Sequence, residues 1–128
     1  MRLLLDTHVL IWLKREPARL SKRVASLLTG GGHEISVSPI SAWEIATKVR
    51  VGKLDFDAAY LDDFERHVQS DGFHVLDFTP THAVAGARLS GAHKDPFDRM
   101  LAGQSLAAKL DLVSSDPMFK LLGLTTLW

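Results

Sequence analysis

The sequence predicts an α/β fold: a three-layer α/β/α sandwich around a central, mainly parallel sheet of five strands. Three observations carry this. Short apolar runs alternate along the chain with longer stretches of helical periodicity. Several of the short runs are continuously apolar, the pattern of strands covered on both faces. The 128 residues, 46% hydrophobic and 23% charged, suffice for one core and are too few for two independent ones. Residues 1–128 are therefore expected to form a single domain.

The five strands are expected at 2–5, 34–37, 73–76, 112–114 and 125–127. Between the first two, 7–14 reads as a short helix and 21–28 as another, with Val24, Leu27 and Leu28 on one face. The glycines at 30–32 form the loop into the second strand. A helix at 41–51 carries Ile45, Ala46 and Val49, and Gly52 is placed to stop it. Residues 57–69 place Tyr60, Leu61, Phe64 and Val68 at helical spacing, opposite Asp62, Asp63, Glu65 and Arg66. Helices at 80–89 and 96–109 and a turn at 117–122 complete the set.

Composition excludes several classes. Fifteen basic and fifteen acidic residues give zero formal charge, so no global field announces nucleic acid or a membrane surface. A nuclease survives that objection, because bound divalent ions supply positive charge where phosphate docks. There is no cysteine, hence neither a disulfide framework nor a thiolate metal site. Asp6 and His8 interrupt the apolar N-terminus, unlike a secretory signal, and no stretch approaches the ~20 apolar residues of a membrane helix. A cytoplasmic location is expected.

Four acids stand where open parallel sheets put their chemistry, outside the carboxyl ends of strands. Asp6 follows the first strand and Asp116 the fourth; Glu44 and Asp98 lie near the starts of helices. Each has a plainer explanation in helix capping. Asp6 could cap the first helix, and SAWE at 41–44 has the form of a capping box. Asp95-Pro96 and Asp116-Pro117 are caps with proline at the first helical position, and Asp98 would be a first-turn acid. Caps need not all be carboxylates, nor converge on one edge. Four acids together repel unless a cation compensates them. Carboxylate oxygens suit Mg²⁺ or Mn²⁺, and such a site can activate water against a phosphodiester.

The motifs LLLDTHVLIW (3–12), SPISAWEIA (38–46), HKDPFDRMLA (93–102) and LVSSD (112–116), in that order over nearly the whole chain, resemble the PIN-domain ribonucleases, and within them the VapC-type toxins of toxin–antitoxin pairs. The resemblance implies an active site of Asp6, Glu44, Asp98 and Asp116 around Mg²⁺ or Mn²⁺, and endoribonuclease activity. It implies supporting roles for Thr7 and Ser115, beside the acids. Asp95 is expected to cap its helix, with an outer-shell role open, and Arg99 either to steer a carboxylate or phosphate or to form a structural ion pair. An RNA substrate, a small cognate antitoxin and a homodimer are the implied partners. Two readings stay open beside it: a non-catalytic, divalent-metal-binding α/β regulatory module, and a DNA-directed nuclease of the same fold.

The remaining polar and aromatic residues are expected to be structural. His8, His33, His67, His74, His82 and His93 show no zinc-ligand spacing. Trp12, Trp43 and Trp128 are expected in the core or an interface. Lys48, Arg50 and Lys53 make a modest basic stretch whose default is a solvated face.

Overall fold

The structure is a computed structural model covering residues 1–128. Its strands are β1 (Arg2–Leu5), β2 (Glu34–Val37), β3 (His74–Val75) and β4 (Asp111–Val113). All pair in parallel, in the order β3-β2-β1-β4. The sheet has four strands where five are expected. Leu124 N–H donates back to Phe119 O, so the chain reaches the sheet edge only at Leu127, which makes one parallel bridge to Val113.

Period-2 alternation sorts the strand side chains into two layers. Leu3, Leu5, Ile35, Val37 and Val113 face one core, shared with Val9, Val24, Ile45 and Val68. Those four come from α1 (Thr7–Arg15), α2 (Lys22–Thr29), α3 (Pro39–Arg50) and α5 (Phe64–Ser70). Leu4 and Leu112 face the other, against Leu101 and Ala102 of α7 (Pro96–Ala108) and Phe119 of a 3₁₀ turn, Pro117–Leu122. Helices thus cover both sheet faces. No helix is long and apolar enough to cross a membrane.

Local chemistry sets the helix ends. The α3 helix starts earlier than its sequence suggests: Ser38 is the cap, accepting from Ile40 N–H at 3.1 Å, with Pro39 at the first position. Glu44 is thereby moved out of the first turn, and the SAWE capping box does not form. The same helix ends as expected at Gly52 (φ +77°), whose N–H donates to Val49 O while Lys53 N–H donates to Lys48 O. The helix expected at 57–69 is broken in two, α4 (Ala58–Asp62) and α5, because Asp63 leaves the helical region (φ −139°, ψ 59°).

Helices α6 (Pro80–Arg88) and α7 cross in backbone contact. A Cβ on Gly103 would lie 2.3 Å from Gly86 N and 2.5 Å from His82 O, so only glycine fits. This crossing fixes the start of α7, and with it Asp98.

Candidate active site

Strand order places β1 between β2 and β4, so the chain's connections diverge on either side of β1, where crevices open above the carboxyl ends of parallel strands. Asp6 sits at the end of β1, only 3% exposed. It occupies the cap position of α1, yet its side chain caps nothing. Its Oδ2 instead accepts a hydrogen bond from Ser114 Oγ at 2.7 Å. Burial is the main reason its carboxyl is pushed up from 3.8 to about 6; the Ser114 bond and His8 pull it down, and Asp98 and Glu44 push it up.

Asp98, in the first turn of α7, is half-buried, with Oδ2 2.5 Å from His93 Nε2. Its carboxyl is also raised, chiefly by burial, against the lowering effect of His93; Asp95 and Asp116 add to the rise. Glu44 pairs with Lys48 Nζ at 2.9 Å, one helical turn along. Asp116 lines the same opening while its Oδ1 caps the 3₁₀ turn through Met118 N–H at 2.9 Å. A cavity of about 270 Å³ has Glu44, Asp98 and Asp116 in its wall, with His8, Lys48 and Asp95. A second, of about 280 Å³, holds Asp6, Ser115 and Asp116 and shares His8. The four acids therefore lie around one region, close enough to oppose one another's ionisation.

The supporting residues are placed variously. Asp95 is exposed and caps α7 through Phe97 N–H (2.9 Å) and Asp98 N–H (3.4 Å). A ligand atom from each of Asp95, His93 and Asp98 lies within 4.8 Å of the others. Thr7 is buried away from the cavities; its Oγ1 meets Ser41 Oγ at 2.9 Å, tying α1 to α3. Ser115 is exposed on the wall of the second cavity, and the hydroxyl that touches Asp6 is that of Ser114, which also accepts from Asp116 N–H at 3.0 Å. Arg99 touches no carboxylate and joins no ion pair. Its guanidinium donates to His93 O (2.7 Å), Leu89 O (2.7 Å), Gly91 O (2.9 Å) and Gly86 O (3.4 Å).

Three residues escape the sequence reading. Ser114 touches two of the acids, His93 holds Asp98, and Lys48 holds Glu44. The His93-to-Asp98 spacing gives no ligand signature, and only the folded-back segment before α7 reveals the pairing. Lys48 four residues after Glu44 was readable as a helical ion pair. Trp43, expected in a core or an interface, is 65% exposed and so no core residue.

Chemically the donors are hard carboxylate oxygens. Four acids in the first cavity face one lysine ammonium, and the buried acids hold protons above their ordinary range. That excess of negative charge fits a divalent, oxygen-seeking cation.

The PIN domain family model matches residues 3–123. Ribonuclease VapC22 of Mycobacterium tuberculosis is 29% identical over 117 residues, covering 88% of this chain and 85% of that protein. Among solved structures, VapBC2 from Rickettsia felis bound to a DNA fragment from their promoter superposes with a TM-score of 0.68 at 17% identity, covering 94% of this chain and 92% of that one. FitAcB from Neisseria gonorrhoeae gives 0.65 at 18% identity, over 98% and 96%. The two structures share the fold at low identity, while the family match runs from β1 past the acid after β4; this chain belongs to the PIN domain family.

Proposed function

We propose that this chain is a divalent-metal-dependent endoribonuclease, the toxin of a toxin–antitoxin pair, with Asp6, Glu44, Asp98 and Asp116 as its metal-holding acids. The observation that carries the reading is their gathering at one sheet edge with the carboxyls of Asp6 and Asp98 raised, so that positive charge is what the pocket lacks. A relative named as a ribonuclease, and structural neighbours that are VapBC and FitAcB assemblies, support the substrate class and the antitoxin partner.

The four acids would hold Mg²⁺ or Mn²⁺, which supplies Lewis acidity toward a phosphate oxygen and lowers the pKa of a bound water. The protein's own residues prepare that pocket. Ser114 fixes one oxygen of Asp6, His93 fixes one of Asp98, and Lys48 holds Glu44. Burial of Asp6 excludes bulk water from one side of the pocket. In the net reaction water adds at phosphorus as one P–O ester bond breaks, and the leaving ribose oxygen takes up a proton. Thr7 supports the pocket from behind by tying α1 to α3, Ser115 stands on the wall of the Asp6 cavity, and Asp95 lies beside the shell as a helix cap.

The test is incubation of total RNA with Mg²⁺- or Mn²⁺-loaded protein and mapping of new ends, beside Asp98→Asn and Asp6→Asn. New ends made by wild type and absent from both variants are expected, with single-stranded DNA left intact. Undiminished RNA cleavage by both variants would refute the assignment. Expression arresting growth, with relief by a neighbouring gene's small product, is expected of the toxin. A homodimer is expected by light scattering.

A further inference from the structure

We propose that a groove leading from the acidic cavity past His8 and Trp12 to Arg19 and Lys53 is the track on which single-stranded RNA lies on one side of the cleaved bond. This rests on the ribonuclease reading and adds to it the path of the substrate.

The groove, about 250 Å³, opens between α1, the turn at Pro17–Arg19 and the C-terminal end of α3. It is continuous with the acidic site: His8 and Lys48 stand in the walls of both this groove and the cavity of Glu44, Asp98 and Asp116. Trp12 in turn lines both the groove and the cavity of Asp6. A chain leaving the acids on this side therefore meets Trp12 next.

Charge chooses the occupant. The molecule has no net charge, so any attraction for a polyanion must be local. The groove wall carries Arg19, Lys48 and Lys53 against Glu16 alone. Lys48 is paired with Glu44, but Arg19 and Lys53 are exposed and join no ion pair. Apart from the acids, His8 and Lys48, the acidic cavity is lined by Thr47 and Phe97, which offer a phosphate no cation.

The aromatic shelf favours unpaired bases. The Arg19 guanidinium lies 4.3 Å from the centre of the Trp12 ring, which is held edge-on by Trp128 at 5.8 Å and flanked by His8 at 5.9 Å. A guanidinium over an indole face makes a cationic aromatic shelf on which a base can stack, and lysine beside it takes phosphate as a point charge. Asp6 is recessed, so the reacting phosphate must bend into the pocket, which a single strand can do and a paired backbone resists.

The experiment compares wild type with Arg19→Ala/Lys53→Ala and with Lys53→Glu. Neither residue contacts the acids. The substrate is a labelled single-stranded RNA of about twelve nucleotides, long enough to extend on both sides of the cleaved bond. The double variant is expected to raise KM about tenfold or more with kcat unchanged. The slope of log KM against log salt should fall by about 0.7, the loss of the Lys53 phosphate contact. Unchanged KM and slope would overturn the groove while leaving the ribonuclease reading intact. A fall in kcat alone would also overturn it. RNA that binds wild type and is released by the variant, with no cleavage by either, would support the groove and sink the ribonuclease reading. An acidic peptide displaced by the variant while RNA kinetics stay the same would assign the groove to a protein tail and overturn the RNA track.

Discussion

Replacing Asp6 by Asn should make the metal-free protein more stable at neutral pH while destroying its activity. Burial raises the Asp6 carboxyl from 3.8 to about 6, so the folded state binds this proton more tightly than the unfolded chain does. The stabilisation is fully present below 3.8 and is lost as pH rises through about 6. The difference of a little over 2, at about 1.36 kcal/mol each, makes the ionised carboxylate cost about 3 kcal/mol at neutral pH. Asparagine keeps an oxygen to accept from Ser114 and carries no charge, so it should recover most of that amount. Urea unfolding with chelator present should show the variant more stable by about 2–3 kcal/mol at neutral pH, with the gap closing near pH 4. Saturating Mn²⁺ should stabilise wild type more than the variant, because the cation offsets the buried charge. RNA cleavage should fall by about a hundredfold or more. A variant that is equally stable or less stable at neutral pH, with chelator present, would refute the electrostatic reasoning.

Ser114→Ala removes the one side-chain hydroxyl that touches Asp6, and Mn²⁺ affinity measured by calorimetry should weaken about 10–100-fold. Gly103→Ala drives a methyl into the backbone of α6 and should lower stability by about 1–3 kcal/mol or more, read as a fall in Tm. Lys109 ends α7 in the left-handed region at φ 57°, so Lys109→Gly should raise stability by up to about 1 kcal/mol in the same melt.

The sheet was legible where side-chain pattern alone decides it. Leu3, Leu4 and Leu5 read as a doubly covered strand because apolar residues serve both layers, and the acids after β1 and β4 follow from where such strands end. What the sequence withheld depends on register and long-range partners. Ser114 and Ser115 are adjacent hydroxyls that no local pattern separates. Pairing of Leu5 with Val113 puts the next residues, Asp6 and Ser114, side by side, and turns Ser115 outward. The capping box at 41–44 was a local signal overruled by tertiary structure: Ser41 is used by Thr7, and Ser38 with Pro39 begins the helix instead. The break at Asp63 leaves no Pro or Gly mark. Instead Tyr60 packs edge-on between Phe56 and Phe64, each 5.5 Å away, and donates to Asp71 Oδ2 at 2.9 Å. The fifth strand failed because an apolar run near an edge pairs only as far as its backbone is led there.

The hold of Arg99 on Gly86, Leu89, Gly91 and His93 has a consequence for the order in which the pocket assembles. The segment from Leu89 to His93 has no strand beside it, and its carbonyls at Leu89, Gly91 and His93 are held by one side chain on the helix it leads into. Until α7 has docked on α6, nothing gathers those carbonyls, and His93 has no fixed place from which to meet Asp98. The N-terminal acid waits as well, for β4, whose Val113 O accepts from its backbone N–H and whose Ser114 holds its carboxylate. The third acid must wait for the last large helix, so the nascent chain carries no complete pocket until nearly all of it has folded.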